Sequence, residues 1–552
     1  MKLEQLIRGI AIEDRRGYFE TDIRAIASDS RRVREGDLFV AVRGTSSDGH
    51  DYIDQALERG ALAVLAESWP EKIDRNLTVR PNVILVENAR RALALAAANL
   101  HANPSRDLVV AGVTGTNGKT TVTHILEAIA DAAGKRTGLI GTVGARFADR
   151  EVPATHTTPD ALELQALLAR MKREAITHVV MEVSSHALDQ QRVTGVHFKV
   201  AGFTNFSQDH LDYHESLEAY FEAKASFFTR VLSESEARGR MAVINIDDPK
   251  GSELVERWGG KTLTTSLDGN ESADLHVVSA EYGLQGTTAQ IRTRKGDWQI
   301  ATHLVGPHNL ANVLTAVGMA QAMGFSKARI DAGLAALTGV PGRFEPVPND
   351  EGKRVFVDYA HTPGALEHVI RTARPLTSGR IIVVFGCGGD RDRAKRAVMG
   401  RVVAEGADTA VLTSDNPRSE DPRVIAETVE SGLREVGWTP GEAGELGTYA
   451  VELDRRAAIR RAIGWMRADD VVIIAGKGHE RVQIVKAESL PFDDREEARR
   501  IISGLPPPPP PPGTTEGPTT ELIESSAVVE SIDIEPDIVE ETEEAPPSED
   551  SK

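Results

Sequence analysis

Cysteine is almost absent. Cys387 is the single one in 552 residues, which excludes intrachain disulfides and any cysteine-cluster metal site and fits a reducing compartment. Long apolar runs are missing as well. No uninterrupted hydrophobic stretch reaches the roughly 20 residues that a membrane helix needs. The opening stretch, MKLEQLIRGIAIEDRRGYFE, has no apolar core of signal-peptide length. A cytoplasmic protein without membrane insertion is therefore expected. Positive charge is in deficit: the net charge is −19, and no basic face for nucleic acid is apparent. Much of that charge is local. Residues 513–552 hold thirteen acidic side chains against one basic, a net of −12, which leaves −7 for the rest, ordinary for a soluble enzyme.

The same C-terminal segment opens with seven prolines, Pro506–Pro512. Such a run favours a stiff polyproline II spacer. The acidic Ser/Thr/Pro-rich stretch behind it lacks aromatic residues and cannot bury enough surface to offset its ordering entropy. Residues 505–552 are expected to be a disordered Pro-rich acidic tail, and no partner for it is apparent. Ahead of the tail, short apolar runs end in Gly- or Ser-rich turns: DLVVAGVTG (107–115), THVVMEVSS (177–185), RIIVVFGCGG (380–389) and DDVVIIAGKG (469–478). These read as buried parallel strands. Helical stretches lie between them, among them 120–133 and 161–174. The alternation predicts an α/β fold of parallel sheets covered by helices, with ligands at the carboxyl ends of the strands. His101–Ser105 and the Gly/Pro hinge Thr338–Arg343 read as domain boundaries.

The most specific motif is VTGTNGKTTV, Val113–Val122. Gly115 and Gly118 allow close backbone approach, and the successive N–H groups of Thr116, Asn117, Lys119 and Thr121 sit at a helix start that attracts phosphate oxygens. Lys119 would reach the terminal phosphates, and the Thr120 hydroxyl suits Mg²⁺. The general phosphate-loop pattern has glycine where this chain has Val113, so the loop is a variant.

That loop and the motifs after it resemble the Mur ligase family. MEVSSHALDQQRV (181–193), FTNFSQDHLDYH (203–214), YFEAKASFF (220–228), GPHNLAN (306–312), GRFE (342–345), DYAHTP (358–363), FGCGGDRDRAKR, SDNPR and GKGHE follow in the family's order. The likeness runs over about residues 20–500. It implies a three-domain architecture: a UDP-sugar-binding domain at 1–105, a central parallel-sheet ATP-binding domain at 106–338, and a Rossmann-like amino-acid-binding domain at 339–504. It also implies a monomeric ATP-dependent, ADP-forming ligase of peptidoglycan synthesis, of the branch that adds the third residue of the stem peptide.

By the same resemblance, Ser28 and Ser30 touch the UDP moiety of UDP-N-acetylmuramoyl-L-alanyl-D-glutamate. Thr157, Thr158, Ser184, Gln190 and Arg192 touch its muramoyl-dipeptide. From the residues alone, Thr158-Pro159-Asp160 reads better as a helix cap. Glu182, a hard oxygen donor at a strand end, suits Mg²⁺, and the resemblance adds His210 for a second ion. Lys224 by itself reads as a solvated helix residue; the resemblance implies a carbamate formed from CO₂, which turns the cation into a metal-binding anion. Asn309, Arg343 and Asp358 are the implied nucleotide contacts. Meso-diaminopimelate carries an extra carboxylate that an arginine can grip through two parallel hydrogen bonds, and the DNPR run Asp415, Asn416, Pro417, Arg418 resembles the diaminopimelate form. Arg391, Gly476 and Glu480 complete that implied pocket. Two other readings stay open. One is an L-lysine-adding, folylpolyglutamate-type or other sister ligase, against which DNPR and the N-terminal stretch Ser28–Tyr52 speak. The other is a non-catalytic nucleotide-binding regulator, which would not need Lys119, Glu182, His210 and Lys224 together.

Overall fold

The computed structural model describes residues 1–44, 47–69 and 81–506. The expected tail lies, beyond Pro506, outside the described residues. Three large sheets carry the fold, beside a two-stranded antiparallel one that pairs Val482–Val485 with Glu488–Pro491. A five-stranded sheet runs from Asp14–Arg16 to Asn82–Leu85 and is parallel except for its first strand. An eleven-stranded sheet spans Val109 to Thr302. Its centre is parallel, in the order Thr262–Ser266, Met241–Asn245, Phe198–Phe203, Val109–Thr114, His178–Glu182, Thr137–Gly141. Antiparallel strands extend it at both edges. A seven-stranded sheet, again mostly parallel, carries Arg354–Asp358, Val471–Ala475, Ile381–Phe385 and Thr409–Leu412 side by side.

These strands form where the sequence has continuous Val/Ile runs. Ile381–Phe385 and Val471–Ala475 are buried at every position, which only a sheet covered on both faces allows. Each sheet accordingly has one apolar cluster per face. The expected helices are present within a residue at their ends, and the four expected strands are present but stop one to four residues before the runs end, where the Gly- or Ser-rich turns begin. The phosphate-loop helix is Lys119–Ala132, starting one residue earlier than expected because Gly118, at φ 88°, ends the loop. The next is Ala161–Arg173.

The consequence for function is geometric. The phosphate-loop strand Val109–Thr114 lies between Phe198–Phe203 and His178–Glu182, so loops on both flanks of the strand converge at its carboxyl end. Ligands of open α/β sheets collect at such a crevice.

Candidate active site

At that carboxyl end the loop is held tightly. A Cβ on Gly115 would overlap Thr204 Oγ1, and one on Gly118 would overlap Asn312 Oδ1. Asn117 N–H donates to Asn205 Oδ1 (2.9 Å), and Thr116 Oγ1 donates to Ser207 O (3.1 Å). Lys119 Nζ folds back onto Gly115 O and Thr116 O, both at 2.9 Å. Burial pushes its pKa down, against the pull of Glu182.

Lys224 is the largest departure from the residue-by-residue reading. It is 1% exposed, not solvated. Its helix, Leu217–Ser226, runs into a π-helical turn, Phe227–Leu232, over the apolar cluster, a distortion that recurs at functional sites. Nζ donates to Gly115 O at 2.9 Å and sits 4.4 Å from the Tyr220 ring centre. Two lysines therefore share one carbonyl, and among the described residues neither has a carboxylate within 4 Å. Burial and Lys119 hold the Lys224 pKa well below its ordinary value. An unpaired buried ammonium is costly, and such a group tends to neutralise.

Opposite the lysines, Glu182 is almost fully buried. Its carboxylate accepts from Thr120 Oγ1 (3.0 Å), Thr142 N–H (2.9 Å) and Thr142 Oγ1 (3.1 Å). Gly141 has no room for a Cβ beside Glu182 Oε1. Thr157 Oγ1 lies 3.2 Å from Thr142 Oγ1. His210, at φ 53°, presents its ring edge-on to His186 and Tyr220, and burial lowers its pKa. Tyr220 links this group to the loop through Thr116 Oγ1 (3.2 Å).

The Thr158-Pro159-Asp160 segment does cap a helix, through Asp160 and not through Thr158. Asp160 caps Ala161–Arg173 by accepting from Glu163 N–H (2.9 Å). Thr158 is 0% exposed; its hydroxyl donates to Glu182 O (2.9 Å) and accepts from Ser184 N–H (3.1 Å). Ser184 is itself a cap, accepting from Ala187 N–H.

Ser28, Ser30, Gln190 and Arg192 line one cavity of ≈ 630 Å³, shared with Asp29, Gln55 and Arg90. It lies between the five-stranded sheet's loops and the central domain. Ser30 Oγ bonds Gln55 Oε1 (2.6 Å). Arg192 donates to Gln190 Oε1 (2.8 Å) and Thr158 O (2.8 Å).

Of the implied nucleotide residues, Arg343 Nη2 reaches Thr120 Oγ1 at 3.3 Å, across from the C-terminal domain. Asp358 accepts from Phe344 N–H (2.7 Å) and Ala360 N–H (2.8 Å). Its carboxyl is pushed up by burial, and its visible work is to pin the hinge. Asn309 is buried and donates to Val305 O (2.9 Å).

A separate cluster of polar side chains forms in the C-terminal domain, where the DNPR turn meets the turn after Val471–Ala475. Asn416 Nδ2 donates to Glu480 Oε2 (2.9 Å). Arg418, at φ 52°, donates from Nη1 to Gly389 O (2.8 Å), and its Nε and Nη2 take no acceptor among the described residues. Asp415 Oδ1 is buried without a partner, facing Gly476. Pro417 closes the turn against Gly389, which has no space for a Cβ. Arg391 is exposed and makes no hydrogen bond among the described residues, so the structure does not draw it into this network.

Three family models cover most of the chain: residues 22–101 match the Mur ligase family, catalytic domain, residues 113–320 the Mur ligase middle domain, and residues 342–478 the Mur ligase, glutamate ligase domain. The UDP-N-acetylmuramoyl-L-alanyl-D-glutamate–2,6-diaminopimelate ligase of Syntrophomonas wolfei is 42% identical over 505 residues, 91% of this chain and 99% of that one. The chain belongs to the Mur ligase family. The ligase of the same name from Geobacillus thermodenitrificans is 45% identical over 482 residues, 87% of this chain and 95% of its own. A solved structure with that name is 32% identical, with a TM-score of 0.67 over 91% of this chain and 99% of the other. MurF ligase from Thermotoga maritima in complex with ADP, at 21% identity and a TM-score of 0.55, shares the fold.

Among Mur ligase positions that the residue-by-residue reading missed, Thr142 and Lys477 stand out. Thr142 follows a short strand and carries no motif. Lys477 did carry a signal: a lysine between the glycines of GKGHE, directly after a buried strand.

Proposed function

We propose that this Mur ligase is an ATP-dependent, ADP-forming enzyme of peptidoglycan synthesis. It joins meso-diaminopimelate to UDP-N-acetylmuramoyl-L-alanyl-D-glutamate. The observation that carries the reading is the pair of lysines, Lys119 half-buried and Lys224 fully buried, both turned onto Gly115 O with no carboxylate in ion-pair contact among the described residues, near the buried Glu182. A polyanion with a divalent cation suits such a site. The likeness to ligases of this specificity over about nine-tenths of the chain supports the choice of substrates. Both nucleotide substrates belong to the cytoplasm, where the enzyme would work.

Amide formation in water needs an activated carboxyl. The γ-phosphoryl group of ATP passes to the terminal carboxylate of the dipeptide, giving ADP and an acyl phosphate. The amine of diaminopimelate attacks the acyl carbon, the C–O bond to phosphate breaks, and the amine gives up a proton. The chain's part is positioning and charge compensation. Lys119 and the loop N–H groups would hold the phosphates, with Arg343 reaching the same place from the C-terminal domain. Thr120 and Glu182 offer oxygen donors of the kind Mg²⁺ takes, His210 would serve a second ion by the family resemblance, and Mg²⁺ there would supply neutralisation of phosphate charge. A carbamate on Lys224 fits its low pKa, because only the neutral amine reacts with CO₂, and it would replace like-charge repulsion from Lys119 with attraction. Ser28, Ser30, Gln190 and Arg192 would bind the nucleotide sugar in the ≈ 630 Å³ cavity, with Thr157, Thr158 and Ser184 beside the dipeptide. The open Nε/Nη2 edge of Arg418 suits the distal carboxylate of diaminopimelate.

The test is product identity. Incubation with ATP, Mg²⁺, the UDP-muramoyl-dipeptide and meso-diaminopimelate should give a UDP-linked product heavier by one diaminopimelate less water. ADP formation without that product would refute the assignment.

A further inference from the structure

Lys477 is, with Arg455, among the most completely enclosed cations of the described residues outside the phosphate site. It is 0% exposed and sits between the two turns that make the amino-acid pocket. Nζ donates to Asn416 Oδ1 (2.9 Å) and Glu480 Oε2 (3.0 Å), and lies 3.9 Å from Asp415 Oδ1.

The geometry fixes more than Lys477 itself. Asn416 Oδ1 also accepts from Ile484 N–H (2.9 Å), which sets the orientation of the amide. Its Nδ2 then points at Glu480 Oε2 (2.9 Å). Glu480 Oε2 is thus taken by two donors that Lys477 either supplies or orients. Its other oxygen has no donor among the described residues. Asp415 Oδ1, buried and without a hydrogen bond, stands beside Gly476, where the absent side chain leaves the approach open. Against the opposing effect of burial, the charge of Lys477, with its hydrogen bond and that of Asn416, holds the Glu480 carboxyl below its ordinary pKa.

We infer that Lys477 is a positioning residue for the amine substrate: it fixes Glu480 and Asn416, so that the free oxygens of Glu480 and Asp415 are presented as acceptors to the ammonium of an amino acid. It does not touch the reacting atoms. The inference rests on the ligase reading above.

The experiment measures ATP-, nucleotide-sugar- and meso-diaminopimelate-dependent phosphate release by the full chain and by Lys477→Met, Lys477→Gln, Lys477→Arg, Glu480→Gln and the double variant Lys477→Met/Glu480→Gln. If the wild type releases phosphate without needing the amino acid, the ligase reading itself fails, before any variant is compared. With the wild type behaving as a ligase, Lys477→Met should raise KM for meso-diaminopimelate at least tenfold. KM for ATP and for the nucleotide sugar should stay within twofold. Lys477→Arg, which keeps the charge, should recover part of the loss. The double variant should lose less than the product of the two single losses, because Lys477 acts in part through that carboxylate. An unchanged KM for the amino acid in Lys477→Met overturns the inference, as do losses that multiply in the double variant. Lys477→Gln carries the same kinetic prediction should the methionine variant not fold. Failure of both neutral variants to fold also overturns it, since Lys477 would then hold the domain rather than the pocket.

Discussion

Replacing Thr158 with valine separates two roles that coincide at that residue. The side chains are nearly isosteric, so packing changes little, but the hydroxyl is lost from a fully buried position. Two backbone groups lose their partner there: Glu182 O, which accepts from Oγ1 at 2.9 Å, and Ser184 N–H, which donates to it at 3.1 Å. Leaving a buried polar group unsatisfied costs about 1–3 kcal/mol, so the pair implies about 2–6 kcal/mol. For a central domain of this size, each kcal/mol moves Tm by about 2–4 °C. Thermal melting of Thr158→Val should therefore show a drop of roughly 4–24 °C. Because those backbone groups flank Glu182 and Ser184, kcat/KM for the nucleotide sugar should also fall at least tenfold at a temperature where the variant is folded. An unchanged Tm would refute the hydrogen-bond reading. A lowered Tm with full activity would refute the placement of Thr158 beside the dipeptide.

Arg455 and Asp494 form a bidentate pair at 2.7 Å with neither side chain exposed. Arg455→Met should cost about 3–5 kcal/mol, because it strands a buried carboxylate, and an undiminished melting temperature would contradict this. Burial lowers the pKa of His124, His178, His186 and His479 to about 4 and that of His308 to about 3, from 6.5. Between those values the unfolded chain binds more protons than the folded one, so stability is full above pH 6.5 and falls as pH drops toward 4. Melting at pH 7.5 and 5.0 checks the sign; a higher Tm at pH 5.0 would refute it. Arg343→Lys keeps the charge but loses the planar fork that reaches Thr120 Oγ1. Its kcat should fall at least tenfold with stability within about 1 kcal/mol, and a wild-type kcat would remove Arg343 from the phosphate site.

The sheets were legible because their strands are unbroken Val/Ile runs with punctuating turns, as in Ile381–Phe385 and Val471–Ala475. The phosphate loop was legible because its glycines, lysine and threonines are adjacent in the chain. What local pattern could not give was contact between distant segments. Lys224 looks like any lysine on a helix until the π-helical turn buries it against a carbonyl 109 residues away. The cap in Thr158-Pro159-Asp160 was legible and is Asp160, whereas the bonds of Thr158 to Glu182 O and Ser184 N–H, more than twenty residues away, were not. Thr142 and Lys477 matter through Glu182 and Asn416, partners 40 and 61 residues distant. Asn309 and Asp358 are tied into hydrogen bonds with the backbone, which no motif announces.

The most direct measurement of the central claim is phosphate release with the amino acid varied. The purified chain, given ATP, Mg²⁺ and UDP-N-acetylmuramoyl-L-alanyl-D-glutamate, should release phosphate only on addition of meso-diaminopimelate, and far more slowly with L-lysine. Release indifferent to either substrate would contradict the ligase account, and equal rates with the two amino acids would contradict the role given to Arg418.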